Sequence, residues 1–561
     1  MLQGFFDKKI LALDTETTGL SWRKDRIVIV SISDGKHSYA FTWKELEKKG
    51  DLKRLQIILG DKETLKIFHN AKFDIHMFLS AELGPVKNIA DTYIMSVIYD
   101  ENLPSHKLKD LAIRYVDPAA KDAQVDLKMY MKEKGMRDFD CSKIPDRILK
   151  PYAVMDAFYT YKLYEFFEPT MLKNFKDVYT LETRLIPLVV EMERRGIQVD
   201  LPFLEGQGKM LAKKIKPLEK VLKDTLGNIN FSSNEQVAIA LDNMKIEVSK
   251  TPKGNPKLDK YELDRIDHPV AKKIKEYRQM THLLATYCEG MPEHAFKGIL
   301  HCGFRQVGAR TGRFSCAEPN LQNIPRELAD IRSGFTVRKG FINYHFDYSQ
   351  VEMRLLAHYC EDPLMLKIIA DEGDVHLDTA CHFFEKPPED ITKDERYIGK
   401  HLNFAVIYGM GAKGLSQKFK VAKDKAYEYL TKYYSLYPAV KEFRDAATQK
   451  CQTSGYVFTS WGRHRRLRYD ESYKAVNAII QGSAADLIKD AMIRVADFLK
   501  GKKSNILLQI HDELIIEIAK EELNLVPKIK QIMEDFGKRF SVPIVVDIKH
   551  TETNWGDLKG D

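Results

Sequence analysis

The sequence predicts a protein of several domains, of the α/β and α+β classes. At about 150 residues per domain, its 561 residues suggest roughly three to four domains. The first ~100 residues alternate between strand and helix patterns, which is typical of an α/β layer fold. From about 180 to 300 the pattern is mostly helical and Lys-rich, and beyond 300 strands and helices mix again.

The elements of the N-terminal part follow in order from their composition. KKILALD, RIVIVSIS and HSYAFTW have the pattern of successive strands, with turn residues between them. LKIFHN is a further strand, which leads into the helical pattern AKFDIHMFLSAEL.

The charge of the chain is only mildly informative. Hydrophobic residues make up 44% and charged residues 30%, which fits ordinary globular cores with solvated surfaces. The net charge of +8 is small for this length and slightly favours a polyanionic partner. Residues 201–280 hold 16 Lys and Arg against 11 Asp and Glu, and GRHRRLR (462–468) is a second basic cluster. Solvated faces explain these clusters as well as a polyanion does.

The cysteines and the apolar runs exclude several classes of protein. The seven cysteines are scattered without a CxxC pair, so they indicate neither a zinc site nor a disulfide framework, and a reducing compartment is expected. No apolar run approaches the ~18 residues that span a bilayer. MLQGFFDKK leads almost directly into a strand, which leaves no room for a signal or transit peptide.

Two carboxylates lie at the end of the first strand. LDTETTGL (13–20) places Asp14 and Glu16 two residues apart, hence on one face of a strand. Like charges on one face repel each other unless a cation lies between them. Taken alone, a solvated strand end is the more common explanation.

Two later segments add matching groups. HNAKFD (69–74) places Asn70 at a strand end and Asp74 at the start of a helix. YAVMD (152–156) places Tyr152 and Asp156 one helical turn apart, on one face. Four carboxylates, a phenol and an amide suit two divalent metals and an oriented water, which can cleave a phosphodiester.

A second set of polar residues begins with YHFDYSQVEMRLLAHY (344–359), which starts as a strand and becomes a helix. Asp347 ends the strand, where its side chain can reach a cleft. Ser349 and Glu352 have the spacing of a capping box, which is a purely structural explanation for Glu352.

DITKDERYIGKHLNFAVIYG (390–409) is predicted to be one helix, with a capping box at Thr392 and Glu395 and a stop at Gly409. Four residues of this helix, at successive spacings of four, form one stripe. The buried stripe of a surface helix is usually apolar throughout, but this one has two cations and two rings. The cations would bind phosphates, and the rings would pack on sugar and base. The stripe consists of Arg396, Lys400, Phe404 and Tyr408.

The last two segments are a helix and a hairpin. KAVNAIIQGSAADLIKDAM (474–492) is predicted to be a helix with Asn477 and Gln481 on its polar face. LLQIHDELIIEI (507–518) is predicted to be a β-hairpin with Asp512 at its turn. If the pleat continues, Glu513 lies on the opposite side of the strand from Asp512.

Residues 1–180 resemble the DEDD 3′–5′ exonucleases, in the subclass with Tyr in the third motif. The resemblance implies an RNase H-like domain. Tyr152 matches the residue that orients the attacking water. The residues that match the metal ligands of that family are Asp14, Glu16, Asp74 and Asp156.

The rest of the chain resembles the family A, or polymerase-I-like, DNA polymerases. DYSQVEMR, RYIGKHLNFAVIYG and QIHDELI match the three polymerase motifs in the family order, and TGRFS with PNLQNIP is a further signature. The resemblance implies a right-hand polymerase after the exonuclease domain. Its parts would be the thumb at 181–300, the palm at 301–365 and 471–561, and the fingers at 366–470.

The resemblance also implies roles for single residues. Asp347 and Asp512 would hold two Mg²⁺ ions, as the exonuclease acids would hold two more, with Mn²⁺ able to substitute. Glu352 would be the gate against a 2′-hydroxyl. The residues implied at the incoming nucleotide are Arg396, Lys400, Phe404, Tyr408, Glu352, Gln350 and His511. Those implied at the primer and template are Arg313, Asn477 and Gln481.

Some positions depart from the family. Tyr473 stands where Arg is usual and Ile479 where Pro is usual, so one duplex contact is left open, with Lys474 as a possible substitute. No 5′-nuclease domain precedes the exonuclease, so nick translation is not expected. The thumb is short, which predicts low processivity without a partner.

The leading hypothesis is a DNA polymerase of replication or repair with 3′–5′ proofreading. Its expected partners are primed DNA, deoxynucleoside triphosphates and a processivity factor. A monomer without membrane contact is expected, in the cytoplasm of a bacterium or of a phage host. One alternative is a single-subunit RNA polymerase, against which Glu352 and the exonuclease set argue. Another is a DNA-binding scaffold with dead sites, against which the two intact acid sets argue.

Overall fold

The computed structural model describes residues 2–136, 140–251, 253–325, 330–419 and 421–560. The N-terminal part is an α/β domain, as the alternating pattern predicts. Its strands are β1 (Ile10–Thr17), β2 (Ile27–Ser33), β3 (Ser38–Thr42), β4 (Leu65–Phe68) and β5 (Ile89–Asp91). Its helices are α1 (Trp43–Lys48), α2 (Asp51–Gly60), α3 (Ala71–Ser80), α4 (Thr92–Tyr99), α5 (Leu108–Tyr115), α6 (Val125–Glu133) and α7 (Asp146–Asn174).

The sheet of this domain has the strand order β3-β2-β1-β4-β5. Strand β1 runs antiparallel to β2 and parallel to β4, and β4 runs parallel to β5. The carboxyl ends of β1, β4 and β5 therefore meet at one edge. In α/β sheets such an edge is where ligands usually bind.

The middle of the chain is helical, as predicted. Its elements are α8 (Lys176–Arg195), β6 (Ile197–Gln198), α9 (Leu201–Leu226), α10 (Asn234–Asn243), α11 (Lys260–Arg265), α12 (Pro269–Leu283), α13 (Met291–His294), β7 (Ala295–Phe296) and β8 (Ile299–Leu300). The distal end of this arm has a small core of its own, formed by residues such as Leu222, Phe231, Leu241 and Ile274.

The remaining elements form the α+β region. They are β9 (Gly303–Arg305), β10 (Ser315–Ala317), β11 (Phe341–Tyr348), α14 (Val351–Cys360), α15 (Pro363–Ala370), α16 (Val375–Phe384), α17 (Lys393–Ile407), α18 (Ala412–Phe419), α19 (Lys423–Leu436), α20 (Pro438–Ser454), β12 (Tyr456–Phe458), β13 (His464–Arg466), α21 (Ala475–Leu499), β14 (Asn505–Ile510), β15 (Glu513–Ala519), α22 (Val526–Glu534), β16 (Val546–Thr551) and β17 (Lys559–Gly560). The main sheet is antiparallel, in the order β14-β15-β11-β16-β17. Among the described residues, no helix has the length and apolar content to cross a bilayer.

Helix α8 belongs to two hydrophobic cores. Leu185 and Val189 pack into the core shared by the helical arm and the α+β region. Ile186 and Val190 pack into the core of the N-terminal domain. One helix with apolar residues on two faces therefore joins the domains.

A buried group of four charges lies where α8 meets α21. The Lys489 ammonium donates to Glu182 at 2.5 Å, and the Arg463 guanidinium binds both Glu182 and Asp486. Gln306 donates to Glu182 at 2.8 Å. Burial lowers the pKa of Lys489 to about 8, although the Glu182 charge opposes it. We call Glu182, Arg463, Asp486 and Lys489 the buried quartet; its formal charges cancel.

The basic cluster GRHRRLR is not a solvated face. Arg463 belongs to the buried quartet. Arg465 and Arg466 bind the two carboxylate oxygens of Glu101, at 2.9 Å and 2.7 Å. Glu101 lies in the N-terminal domain and is 9% exposed. The cluster therefore joins two domains, and neither explanation offered by the sequence applies to these three arginines.

Neutralising one member of the buried quartet should destabilise the fold. Glu182→Gln or Lys489→Met would leave an uncompensated buried charge, which typically costs about 3–5 kcal/mol of unfolding free energy. The double variant restores the balance of charge and should cost less than the sum of the single variants. Thermal and urea unfolding followed by circular dichroism measure this.

Lys441→Met is the matched control, because it breaks the exposed pair between Lys441 and Asp445. Exposed pairs contribute little, so its melting temperature should equal that of the wild type. Additive losses in the double variant of the quartet would contradict the coupling.

Candidate active sites

Three acids of the first set come together at the end of β1. Ligand oxygens of Asp14, Glu16 and Asp156 all lie within 4.8 Å of one another. Asp14 and Glu16 share a face of β1 because strand side chains alternate. Asp156 reaches them from α7, on which Tyr152 lies one turn earlier. The predicted first site is therefore assembled from distant segments.

Asp74 lies beside this cluster but turns toward β1. Its Oδ1 accepts hydrogen bonds from the Thr15 backbone N–H at 2.9 Å and from the Thr15 hydroxyl at 2.7 Å. Asn70 precedes α3 in a left-handed conformation, and its backbone N–H donates to Asp91 at 2.9 Å. Asp74 is thus close enough for the Asp14 charge to raise its pKa, although it does not belong to the three clustered acids.

The clustered acids retain protons more strongly than free carboxyls do. Burial raises the pKa of Asp14 to about 6, although Lys109 opposes the shift. Burial and the Asp14 charge raise the pKa of Glu16 to about 8. Burial and Asp14 also raise the pKa of Asp74. Crowded oxygen ligands with uncompensated charge fit a divalent cation, which would relieve the repulsion.

The sequence interpretation missed two residues of this site. The Lys109 ammonium, from α5, donates to Asp156 and lies 4.8 Å from the centre of the Tyr152 ring. The thiol of Cys141 donates to Glu16 at 3.4 Å. Lys109 had one signal in the sequence: it falls within the otherwise apolar buried stripe of α5, next to Leu108 and Ala112. Nothing in the sequence pointed to Cys141.

The second set centres on β11. Asp347 lies at the end of β11, directly across from Glu513 on β15 and from Asp547 on β16. Residues directly opposite each other in a sheet point to the same face. Asp512 lies in the turn between β14 and β15, so the predicted hairpin with this acid at its turn is present. His511, its neighbour in the turn, has a left-handed conformation.

The position of Glu513 is set by its strand. It was expected on the opposite side from Asp512 if the pleat continued; Asp512 lies in the turn between the strands, and Glu513 shares the face of Asp347. Its carboxylate is held by the imidazole Nδ1 of His345. Asp547 was missed, because only the strand register reveals it.

Asp347 is the acid most affected by its neighbours. Burial raises its pKa to about 7, and the charges of Asp512, Glu513 and Asp547 add to the shift. Burial also raises the pKa of Asp512. As in the first site, closely placed oxygen ligands and excess negative charge fit a divalent cation.

The capping box predicted for Glu352 is absent. The N-cap of α14 is Gln350, in a left-handed conformation and without a side-chain hydrogen bond. Ser349 therefore lies outside the helix and cannot cap it. The Glu352 Oε1 instead accepts from the Arg313 guanidinium at 2.5 Å, while its Oε2 has no hydrogen-bond partner among the described residues.

Helix α17 forms largely as predicted. It begins after Thr392, which makes the capping box with Glu395, and the chain turns at Gly409 with φ of 65°. It starts at Lys393, three residues later than the predicted segment, because Thr392 is the cap.

The stripe of α17 keeps its order of cations and rings. Arg396 binds Asp374 through its Nε at 2.7 Å. Lys400 makes no ion pair with a residue that the structure describes; its ammonium lies 5.8 Å from the centre of the Phe404 ring. The rings of Phe404 and Tyr408 are stacked at 5.8 Å. The Tyr408 hydroxyl contacts Gln481 of α21.

Two further polar atoms of the second set lack a hydrogen-bond partner among the described residues. The Oδ1 of Asn477 and the Oε1 of Gln350 are buried and have no hydrogen-bond partner within the described ranges. Buried polar atoms are normally bonded, so such atoms call for an external partner.

Comparisons with known proteins match two stretches of the chain to known families. The family described as DNA polymerase family A matches residues 202–557, and the family described as 3′–5′ exonuclease matches residues 5–172. DNA polymerase I of Pseudomonas aeruginosa is 30% identical over 98% of this chain and 64% of its own length. DNA polymerase I of Caldicellulosiruptor bescii is 31% identical over 89% of this chain and 58% of its own length. The chain thus spans about three-fifths of the length of these curated relatives.

A solved structure also matches almost the whole chain. It is described as the POL domain of Pol1 from M. smegmatis in complex with DNA primer-template and dNTP. The TM-score is 0.86 at 25% sequence identity, over 99% of this chain and 97% of that chain.

Binding of a divalent cation at the first site should strengthen as the pH rises. Protons held by Asp14 and Glu16, with pKa values raised to about 6 and about 8, must leave before the oxygens can bind. Each proton released changes the apparent affinity about tenfold per pH unit. Mn²⁺ should therefore raise the melting temperature of metal-free protein more at about pH 8.5 than at about pH 6. Scanning calorimetry measures the gain.

The control for this pH dependence is the double variant Asp14→Asn with Glu16→Gln, which keeps the side-chain shapes without titratable acids. Its gain from Mn²⁺ should be smaller and depend less on pH. An equal gain at both pH values in the wild type would contradict the expectation.

Proposed function

Because the chain belongs to DNA polymerase family A, we propose that it is a template-directed DNA polymerase with a 3′–5′ proofreading exonuclease. The observation that carries the proposal is the presence of two separate carboxylate sites on one chain. One lies at the end of β1 and the other on the face of β11. The first lies within the exonuclease match and the second within the polymerase match.

The proposed cofactor is Mg²⁺, with two ions at each site and Mn²⁺ able to substitute. Asp347 and Asp512 would hold it at the polymerase site, and Asp14, Glu16 and Asp156, assisted by Asp74, at the exonuclease site. Bound divalent cations would activate the attacking oxygen and stabilise the leaving oxygen of a phosphodiester.

In the polymerase reaction, the protein's own residues would bind and orient the nucleotide. Arg396 and Lys400 would bind the triphosphate, and Phe404 would pack on its sugar. Tyr408, supported by Gln481, would lie against the new base pair. Gln350 and His511 would complete the nucleotide surface.

Glu352 would exclude ribonucleotides. Its carboxylate is held by Arg313, and burial raises its pKa despite that cation. A fixed carboxyl beside the sugar would leave no room for a 2′-hydroxyl. Arg313 and Asn477 would also reach the primer and template.

In the exonuclease reaction, Tyr152 would orient the attacking water, and its ring position is fixed by Lys109. Burial and the charges of Glu16 and Asp14 raise the pKa of Tyr152, so it keeps its proton as a hydrogen-bond donor.

The single-stranded primer end would enter the exonuclease site through a cleft between β9 and the N-terminal domain. This cleft of about 780 Å³ is lined by Asn70, Tyr93, Lys107 and Arg305, among others. Lys107 and Arg305 are exposed and make no ion pair with the residues described. Cations and a ring are the groups that hold single strands.

The proposed domains are the exonuclease at residues 1–180, the thumb at 181–300, the palm at 301–365 and 471–561, and the fingers at 366–470. Primed DNA and deoxynucleoside triphosphates are the proposed substrates, in replication or repair in a bacterial or phage-infected cytoplasm. The relative from M. smegmatis was solved with such ligands.

Extension of a primed template tests the assignment of the two sites. With Mg²⁺ present, Asp347→Ala should lose extension by at least about 10²-fold, since it removes an electrostatic contact to the transition state. Asp14→Ala with Glu16→Ala should lose degradation of single strands to a similar degree and keep extension. Each variant is the control for the other. Full extension by Asp347→Ala would refute the polymerase assignment.

The two adjacent acids of the hairpin should contribute unequally. Glu513 is already bound by His345, whereas the Asp512 carboxylate bonds only to its own backbone among the described residues. Asp512→Ala should therefore reduce the extension rate at least about tenfold more than Glu513→Ala. Glu521→Ala, an exposed acid paired with Lys503, is the control. Equal losses at 512 and 513 would overturn the distinction.

A further inference from the structure

One cysteine of the chain lies inside the first carboxylate site. Cys141 begins a short 3₁₀ turn (Cys141–Lys143) and is 0% exposed; its thiol donates to the Glu16 Oε2 at 3.4 Å. Its other neighbours include the apolar Ile29 and Leu149. A buried cysteine usually acts as a small apolar residue. Among the described residues, however, no other cysteine thiol donates to a carboxylate, so Cys141 needs an explanation beyond packing.

The carboxylate that Cys141 contacts is incompletely bonded. Glu16 is 6% exposed, and its Oε1 accepts no hydrogen bond from a described residue. The oxygens of a carboxylate this buried are normally bonded, so Glu16 calls for an external partner. Ligand oxygens of Asp14 and Asp156 lie within 4.8 Å of a Glu16 oxygen. Because the Lys109 ammonium already binds Asp156, Asp14 and Glu16 are the acids left for an added cation.

The separation of sulfur and oxygen fits one bound ion. Zn²⁺ binds thiolate sulfur at about 2.3 Å and carboxylate oxygen at about 2.0–2.2 Å, so two such ligands of a tetrahedral ion lie about 3.6 Å apart. The Cys141 Sγ and the Glu16 Oε2 are 3.4 Å apart. Both atoms can therefore bind the same ion after only a small shift of the side chains.

The sulfur also decides which ions would use it. Mg²⁺ and Mn²⁺ prefer oxygen ligands, whereas thiolate sulfur favours softer ions such as Zn²⁺. Cd²⁺ belongs to the same thiophilic class. The cleft beside Asp347 is lined by no cysteine among the described residues. A thiophilic ion should therefore distinguish the first carboxylate site from the second.

We propose that the Cys141 sulfur is a metal ligand at the first site, together with Glu16 and Asp14, and makes this site bind thiophilic divalent cations of the Zn²⁺ and Cd²⁺ class. The inference deepens the proposed function and rests on it, because it concerns the metal of the same site. A sulfur–metal bond replaces the S–H bond of the thiol, and the proton goes to solvent. The Glu16 oxygen that accepted this proton's hydrogen bond becomes free to bind the same ion.

Cd²⁺ added to metal-free protein tests the sulfur directly, because a cadmium–thiolate bond has its own charge-transfer band in the ultraviolet. Titration of the wild type should produce this band. Cys141→Ser should remove the part of the band that belongs to Cys141 and weaken Cd²⁺ binding at least about tenfold, since even groups behind the ligands change metal affinity about 10–100-fold. Asp14→Asn with Glu16→Gln, which keeps the sulfur, should lose the same part, and it carries the test if Cys141→Ser does not fold.

Mn²⁺ separates a metal ligand from a residue that only supports Glu16. Because Mn²⁺ would not use the sulfur, its gain in melting temperature should be the same in Cys141→Ser as in the wild type. Cys451→Ser, which removes a buried thiol of α20, is the matched control and should equal the wild type with both ions. Equal weakening of Mn²⁺ and Cd²⁺ binding by Cys141→Ser would overturn the inference.

The inference and the proposed function can fail separately. A wild type that degrades single strands with Mg²⁺ but gives the same Cd²⁺ band as Cys141→Ser would overturn the inference alone. A wild type that degrades no single strands would overturn the exonuclease assignment on which the inference rests.

Discussion

Two buried glutamates of α8 hold the molecule together. Glu182 and Glu193 are eleven residues apart, about three helical turns, so they lie on nearly the same side of the helix. Glu182 joins the buried quartet with α21. Glu193 binds Lys72 and His76 of the N-terminal domain at 2.6 Å each and accepts from the Phe304 backbone N–H. A buried carboxylate is tolerable only when its bonds are complete. Each glutamate therefore permits only the arrangement of domains that completes its bonds, and the distance between the two active sites follows from one helix.

The two sites use opposite means to manage excess negative charge. At the proposed exonuclease site, Lys109 supplies a cation inside the cluster, and burial still raises the pKa of Glu16 to about 8. At the proposed polymerase site, Arg313 and His345 bind Glu352 and Glu513, the acids at the edge, and leave Asp347 to its acidic neighbours. Both arrangements leave excess negative charge at Asp14, Glu16 and Asp347, where the proposed cations would bind. The surrounding fold stabilises the acids that only shape the site.

The sequence predicted those features that depend on local periodicity. Asp14 with Glu16 follows from the period of a strand, Tyr152 with Asp156 from that of a helix, and the α17 cap from Thr392 and Glu395. The failures depend on tertiary contacts. The same capping pattern at Ser349 failed because Gln350 takes a left-handed conformation before α14. Asp547 and His345 became visible only through the register of β11 with its neighbours. Arg463, Arg465 and Arg466 looked like a surface patch because Glu182 and Glu101, which bind them, lie 281 and about 365 residues away in the chain.

The domain seam bears on how proofreading would proceed. The primer end would have to leave Asp347 and reach Asp14, and either the domains or the DNA must move. Two sets of charged contacts cross the seam: the bonds of Glu193 to Lys72 and His76, and those of Glu101 to Arg465 and Arg466. Opening them would break several buried charge-assisted hydrogen bonds, whose partners water would have to replace. Unpairing a primer end costs a few kcal/mol, and least where the terminal base is mismatched. If the seam stays closed under the proposed function, the DNA would be the part that moves, and the difference in unpairing cost between matched and mismatched ends would itself direct errors to the exonuclease.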